Sequence, residues 1–121
     1  MDNDSTSGAG RHAEQIAARF LEKRALSVIE RNYRCKVGEI DLICKDGASL
    51  VFVEVRLRKN SAFGGAAASI TPDKQRKIAR AAQHYLTAKR KIGVICRFDC
   101  VVLDSLDKNS VEWIRNAFFA E

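Results

Sequence analysis

Apolar residues recur at helical spacing near the start of the chain. They occupy positions i, i+3, i+4, i+7 and i+8, which lie on one face of a helix: Ala13, Ile16, Ala17, Phe20 and Leu21. This spacing predicts a first helix over residues 11–24. The β-branched and aromatic stretch that follows predicts a strand over residues 27–34.

Two runs of alternating residues follow, separated by the turn sequence Asp46-Gly47-Ala48-Ser49. The first run alternates at Ile40, Leu42 and Cys44, and the second at Val51, Val53, Val55 and Leu57. A period of two is typical of strands, and Asp-Gly between two such runs is a strong local signal for a β-hairpin. We therefore expect two antiparallel neighbours in a sheet.

The second half of the chain contains a helix and two more strands. Residues 58–70 are predicted to form a loop, and Thr71 and Pro72 supply an N-cap and a first helical residue. The helix continues to about residue 90, and apolar alternation over residues 94–102 predicts a strand. A last short strand is expected over residues 111–119.

The predicted order αβββαββ indicates an α/β fold with a mixed β-sheet flanked by helices. We expect the polar first ten residues to form a frayed tail and residues 11–121 to form a single domain. A length of 121 residues with 46% hydrophobic residues is sufficient for one buried core. No stretch is apolar enough to cross a bilayer, and the start of the chain lacks the features of a secretory signal.

Lys and Arg outnumber Asp and Glu by 21 to 15, which gives a net charge of +6 and a pI of about 9.4. This excess favours polyanionic partners, so we expect nucleic acid, DNA rather than RNA, as the partner and no membrane partner. The four cysteines do not have the spacing of zinc ligands. We interpret them as unpaired thiols in a reducing, cytoplasmic compartment.

The hairpin decides which acidic side chains meet, because directly opposed residues of an antiparallel pair share a face. A turn at Gly47-Ala48 places Asp41 opposite Glu54, whereas a turn at Asp46-Gly47 makes them diagonal neighbours. Either register puts Glu39, Asp41, Glu54 and Arg56 on one face and leaves an apolar opposite face as core. An Asp–Glu oxygen pair suits a hard cation such as Mg²⁺, which can polarise a phosphodiester and activate water.

Ordinary ion pairs are the alternative interpretation of the same residues. Glu39 would then pair with Arg56, and Asp41 with Arg34 or Lys45. Positive side chains around the hairpin and the second helix are candidates for phosphate contacts: Arg56, Arg58, Lys59, Lys74 and Lys77. Their alternative role is that of a solvated, charged helix face.

Several ordered segments resemble one bacterial family. They include Gly38-Glu39-Ile40-Asp41-Leu42-Ile43, Val51-Phe52-Val53-Glu54-Val55-Arg56-Leu57-Arg58 and Arg97-Phe98-Asp99. Over about residues 10–119 the chain resembles the YraN-like family of uncharacterised bacterial proteins. That family in turn resembles restriction-endonuclease-like nucleases of the PD-(D/E)xK type and archaeal Holliday-junction resolvases.

The resemblance implies a restriction-endonuclease-like fold with an αβββαβ core, and it implies roles for individual residues. Asp41 matches the motif aspartate and Glu54 the motif acid, both of which are metal ligands in active relatives. Glu14 matches an acid on the first helix that completes the catalytic site. Resolvase-like relatives act as symmetric dimers, which implies a homodimer.

The sequence departs from the motif at Arg56, which stands where the family pattern expects lysine. Arginine keeps the positive charge but is planar and is not deprotonated, so it cannot act as a base. Two functions therefore stay open. One is a Mg²⁺-dependent endodeoxyribonuclease acting on structured DNA, with Arg56 at the scissile phosphate. The other is a catalytically inactive module that binds nucleic acid or another protein.

Overall fold

A computed structural model describes residues 8–57, 70–106 and 110–119 of the chain. These residues form two helices and five strands in the predicted order αβββαββ. The elements are α1 Gly8–Glu22, β1 Ser27–Cys35, β2 Gly38–Asp46, β3 Ser49–Leu57, α2 Pro72–Ala88, β4 Cys96–Leu103 and β5 Val111–Phe118. Expected and observed boundaries differ by a few residues, as helix ends commonly do.

The five strands form one mixed sheet in the order β1-β2-β3-β4-β5. Neighbours are antiparallel except β3 and β4, which are parallel and are connected through α2. A parallel pair needs such a crossover connection, because a tight turn reverses the chain direction and makes the next strand antiparallel. The α/β fold class with a mixed sheet flanked by helices is confirmed, and it is consistent with a restriction-endonuclease-like fold.

Each helix covers a different face of the sheet. The apolar stripe of α1 packs against Leu42, Val51 and Val53, whereas α2 packs against Ile43 and Phe52 on the other face. We expected core only on the face opposite the acids, and this expectation was incomplete. Most of both faces is buried, which explains the run of four consecutive apolar residues at positions 50–53 of β3.

The β2–β3 hairpin adopts the first of the two registers considered. Asp46 pairs with Ser49, so Gly47 and Ala48 form the turn, and the ladder extends to Leu42 opposite Val53. Gly47 has φ 62°, a left-handed value that glycine adopts without steric cost and that two-residue hairpin turns require. Continuing this register places Asp41 opposite Glu54.

Close contact between β2 and α2 occurs at Gly38. A Cβ atom there would lie 2.8 Å from the backbone oxygen of Lys77. We expect Gly38→Ala to force α2 away from the sheet and to lower the free energy of unfolding by about 1–3 kcal/mol. Gly8→Ala is the matched control, because a Cβ at Gly8 has no atom within 4 Å. Equal thermal unfolding midpoints for the two variants would show that the close approach does not constrain α2.

Candidate functional site

Three buried carboxylates come together where the β2–β3 ladder ends. Glu14 of α1, Asp41 of β2 and Glu54 of β3 are 9%, 8% and 5% exposed. Buried carboxylates are uncommon unless they are paired with cations, metals or each other. The acidic cluster defined by these three residues is therefore the strongest candidate for a functional site.

Asp41 is the centre of the acidic cluster. Its Oδ2 accepts a hydrogen bond of 2.8 Å from the backbone N–H of Val55, which fixes the carboxyl between the two strands. Its side chain also hydrogen-bonds to the side chains of Glu54 and Glu14. The arrangement thus connects the three predicted acids through one residue.

Burial and mutual repulsion make these carboxyl groups weak acids. Burial, followed by the charge of Asp41, raises the pKa of Glu14 to about 7 and the pKa of Glu54 to about 8. Burial also raises the pKa of Asp41. Two carboxyl groups can hydrogen-bond to each other only when one holds a proton, so the cluster retains protons near neutral pH.

Two cations flank Glu54. Nη1 of Arg56 lies 3.4 Å and Nζ of Lys74 lies 3.8 Å from Oε2 of Glu54. Lys74 lowers the pKa of both Asp41 and Glu54, and its effect on Glu54 exceeds that of Arg56. Lys74, which was expected only to contact phosphate, therefore lies beside the acidic cluster and interacts with it.

The N-terminus of α2 holds Lys74 in this position. Oγ1 of Thr71 accepts a hydrogen bond of 3.1 Å from the backbone N–H of Lys74, and Pro72 begins the helix. These are the N-cap and first-turn features predicted from the sequence. Lys74 lies in the first turn, so a well-formed cap also places its side chain.

The structure does not place the other predicted basic residues beside the acidic cluster. Nζ of Lys77 lies 3.3 Å from Oδ2 of Asp73 on the exposed side of α2. Arg58 and Lys59 lie outside the described residues. The predicted phosphate contacts thus divide between Arg56 and Lys74 at the site and Lys77 away from it.

The ion pairs of the alternative interpretation are different from the observed ones. Glu39 pairs with Arg34 at 3.6 Å rather than with Arg56. Asp41 bonds to the Val55 amide and to the neighbouring acids instead of Arg34 or Lys45. Cross-strand pairing therefore explains Glu39 but not the burial of Asp41 and Glu54.

Asn32 is a residue of the site that the sequence interpretation missed. Its side chain hydrogen-bonds to Glu14 and lowers the pKa of that acid. Asn32 has φ 51°, in the left-handed region, where asparagine is several-fold enriched among non-glycine residues. No sequence pattern indicates that Asn32 contacts α1.

The acidic cluster offers a divalent cation suitable ligand atoms but few of them. Asp41 and Glu54 offer adjacent carboxylate oxygens, the ligand type that Mg²⁺ prefers. Within residues 8–57, 70–106 and 110–119, however, no three His, Cys, Asp or Glu side chains are grouped as metal ligands. Asp41 and Glu54 are therefore a two-carboxylate pair and not a complete protein cage.

The raised pKa of Glu54 predicts a pH-dependent stability. The pKa of Glu54 is about 8 in the folded protein and 4.5 as its ordinary value. The stability that the protonated Glu54 contributes is therefore fully present below pH 4.5 and is lost as the pH rises through 8. Without divalent metal, Glu54→Gln should flatten this fall, whose steepest slope is about 1.4 kcal/mol per pH unit. Urea unfolding at pH 5 to 9 measures it. Glu112→Gln, an exposed substitution on β5, should keep the wild-type slope; a parallel profile for Glu54→Gln contradicts the prediction.

The fold and the acidic cluster together define an α/β protein with a mixed sheet and buried acids at the end of its central hairpin. The chain belongs to the family described as "Uncharacterised protein family UPF0102", whose model matches residues 13–103. The matched range includes Glu14, Asp41, Glu54 and Lys74. No helix of the described segments has the length and apolar character needed to traverse a lipid bilayer.

Proteins from several bacteria are similar over nearly the whole chain. The UPF0102 protein of Dechloromonas aromatica (strain RCB) is 56% identical over 119 residues, covering 98% of this chain and 95% of the relative. That of Nitrosomonas eutropha is 54% identical over 114 residues, covering 94% and 96%. That of Desulfosudis oleivorans is 52% identical over 111 residues, covering 92% and 89%.

Proposed function

We propose that this protein binds structured DNA and hydrolyses its phosphodiester bonds with Mg²⁺ held by Asp41 and Glu54. The observation that carries the proposal is the contact between these two buried carboxyl groups, with cations beside them. A purely structural pair would be expensive, because burial disfavours both charged forms. A bound divalent cation offsets that cost by replacing the shared proton.

Each residue has a distinct task in this proposal. The Val55 amide orients Asp41, and Glu14 holds a proton beside it because burial and the charge of Asp41 raise its pKa to about 7. Lys74 and Arg56 stabilise the negative charge that develops on phosphate. When bound, Mg²⁺ supplies Lewis-acid chemistry and activates water.

Lys74 is the cation to which we assign the larger effect on phosphate. A lysine ammonium is a compact point charge, whereas the charge of the Arg56 guanidinium is spread over a planar group. Lys74 also acts electrostatically on both Asp41 and Glu54. Its position on α2 compensates for the arginine in the strand motif.

A second candidate function is binding of nucleic acid without hydrolysis. Arg56 favours it, because this side chain cannot act as a base and is larger than the lysine that the motif expects. The same basic surroundings would then bind the phosphate backbone and leave it intact. Net charge alone supports this function as well as it supports the first.

A metal titration with branched and duplex DNA separates the two functions. The wild-type protein, Arg56→Lys and Lys74→Met are compared in Mg²⁺ and Mn²⁺, with Lys89→Met as an exposed control from the end of α2. Hydrolysis requires metal-dependent cleavage that Lys74→Met lowers and Lys89→Met does not. Salt-sensitive binding with no cleavage, or cleavage only by Arg56→Lys, supports the binding function. Absence of binding at low salt overturns both.

A further inference from the structure

A polar cavity of about 390 Å³ lies between α1 and β1. Its volume is within the range of about 300–1,000 Å³ that ligand sites occupy. Three arginines line it, two from one flank of α1 and one from β1: Arg11, Arg19 and Arg31. The arginine cavity is separate from α2, which carries two of the predicted phosphate contacts, Lys74 and Lys77.

We propose that the arginine cavity binds the sugar–phosphate backbone of a nucleic acid strand on its way to the acidic cluster. This inference rests on the proposed function and names the path of the bound strand. Glu14 connects the two places, because it lines the cavity and also hydrogen-bonds to Asp41. A strand in the cavity would therefore pass directly beside the acids.

The guanidinium groups are suited to phosphate and form no ion pair within the described part of the chain. Arg11, Arg19 and Arg31 are exposed, and none forms an ion pair with another residue of the described segments. Arginine presents planar donors that match phosphate oxygens. Their three positive charges exceed the two acids of the cavity wall, Glu14 and Glu22.

Arg11 lies where the helix itself disfavours it. The first turn of α1 contains no acidic residue, and Arg11 places a positive charge near the positive end of the helix dipole. A local arrangement that opposes helix stability is expected mainly at functional positions. A phosphate in the cavity would supply the missing negative charge at this helix end.

Asn32 provides a second, independent observation on the cavity wall. Its Oδ1 is buried and has no hydrogen-bond partner among the described residues. An unsatisfied buried acceptor costs about 1–3 kcal/mol, which a donor on a ligand would offset. Amino groups on the bases of a DNA strand are such donors, and phosphate groups are not.

The test measures DNA binding as a function of salt for the full chain. Binding of a fluorescent branched DNA is followed by anisotropy for wild type and for Arg11→Ala combined with Arg31→Ala. Arg115→Ala is the matched control, because β5 forms the opposite edge of the sheet from β1. The double variant should weaken binding about tenfold and lower the slope of log K against log salt by about two. The control should leave both values unchanged.

Lys74→Met distinguishes failure of this inference from failure of the proposed function. If Lys74→Met weakens binding and the double variant does not, the strand avoids the arginine cavity and the inference is overturned alone. If the wild type does not bind DNA, the proposed function fails and the inference with it. Thermal unfolding accompanies each assay: Arg11→Ala removes an unfavourable charge from α1, so equal or higher stability is expected.

Discussion

Replacing Asp41 with asparagine is expected to lower metal-dependent DNA cleavage by about 1,000-fold or more. Asp41 is the residue that contacts both other acids and the Val55 amide. Asparagine keeps the shape and one oxygen but removes the charge that would hold a divalent cation. Losing metal-supplied stabilisation of several kcal/mol corresponds to a rate loss of this size.

The expected loss is measured by initial rates on branched DNA under saturating Mg²⁺. Asp73→Asn is the matched control, because it makes the same chemical change on an exposed side chain of α2. Wild-type rates in Asp41→Asn would contradict the assignment of the metal to this residue.

A binding measurement tests the same residue without cleavage. Mg²⁺ at 100 times its dissociation constant should stabilise the wild type against unfolding by about 2.7 kcal/mol, and Asp41→Asn should abolish the shift. A shift of equal size in both proteins would place the metal elsewhere.

The sequence predicted the centre of the site because strand geometry is local. Alternation over β2 and β3, together with a two-residue turn, determines that Asp41 and Glu54 lie on the same face of the sheet. The observed pairing of Asp46 with Ser49 is one of the two registers that the pattern allowed. No information about distant elements was needed for this step.

The remaining residues of the site depend on how helices dock onto the sheet. Glu14 borders the apolar stripe of α1, and only packing against β1 and β2 decides that it is buried. Lys74 reaches Glu54 because α2 crosses the other face with its capped end near the acids. Helical periodicity predicts which side of a helix is apolar but not where along the sheet that helix ends.

Asp99 illustrates a different failure of the alternating pattern. The alternation over residues 94–102 predicted a strand there but indicated no partner for the Asp99 carboxylate. The side chain is fully buried, because β4 lies inside the sheet and α1 with Trp113 covers that face. Polar residues inside a central strand need partners from other elements, which a pattern of single residues does not reveal.

Three donors, one from each of three residues, make four hydrogen bonds to the two oxygens of Asp99. Nε of Arg97 lies 3.1 Å from both oxygens, and Nε1 of Trp113 lies 3.0 Å from Oδ2. The backbone N–H of Asn116 donates to Oδ1 at 3.0 Å, at a β-bulge where β5 has extra residues. Arg97 also pairs with Asp46 at 3.0 Å. Asp99 thus joins β5 to the centre of the sheet.

Asp99→Asn is expected to lower the free energy of unfolding by about 3–5 kcal/mol. The substitution leaves Arg97, whose side chain is 20% exposed, without its buried counterion. It also turns one acceptor oxygen into a donor amide facing other donors. Urea unfolding followed by fluorescence of Trp113, the only tryptophan, measures the loss. A cost below about 1 kcal/mol would show that the network does not carry stability.

Comparison with Glu54→Gln separates two kinds of buried carboxylate in one sheet. Asp99 is satisfied by donors, so its neutralisation should destabilise the fold. Glu54 is buried beside Asp41 with a pKa raised to about 8, so its neutralisation should stabilise the fold above neutral pH. Glu54 then lowers the stability of the fold, whereas Asp99 raises it. This difference is expected when Glu54 serves a function and Asp99 serves only the structure. Changes of the same sign at pH 8.5 would remove that distinction and with it the physical reason for assigning chemistry to the acidic cluster.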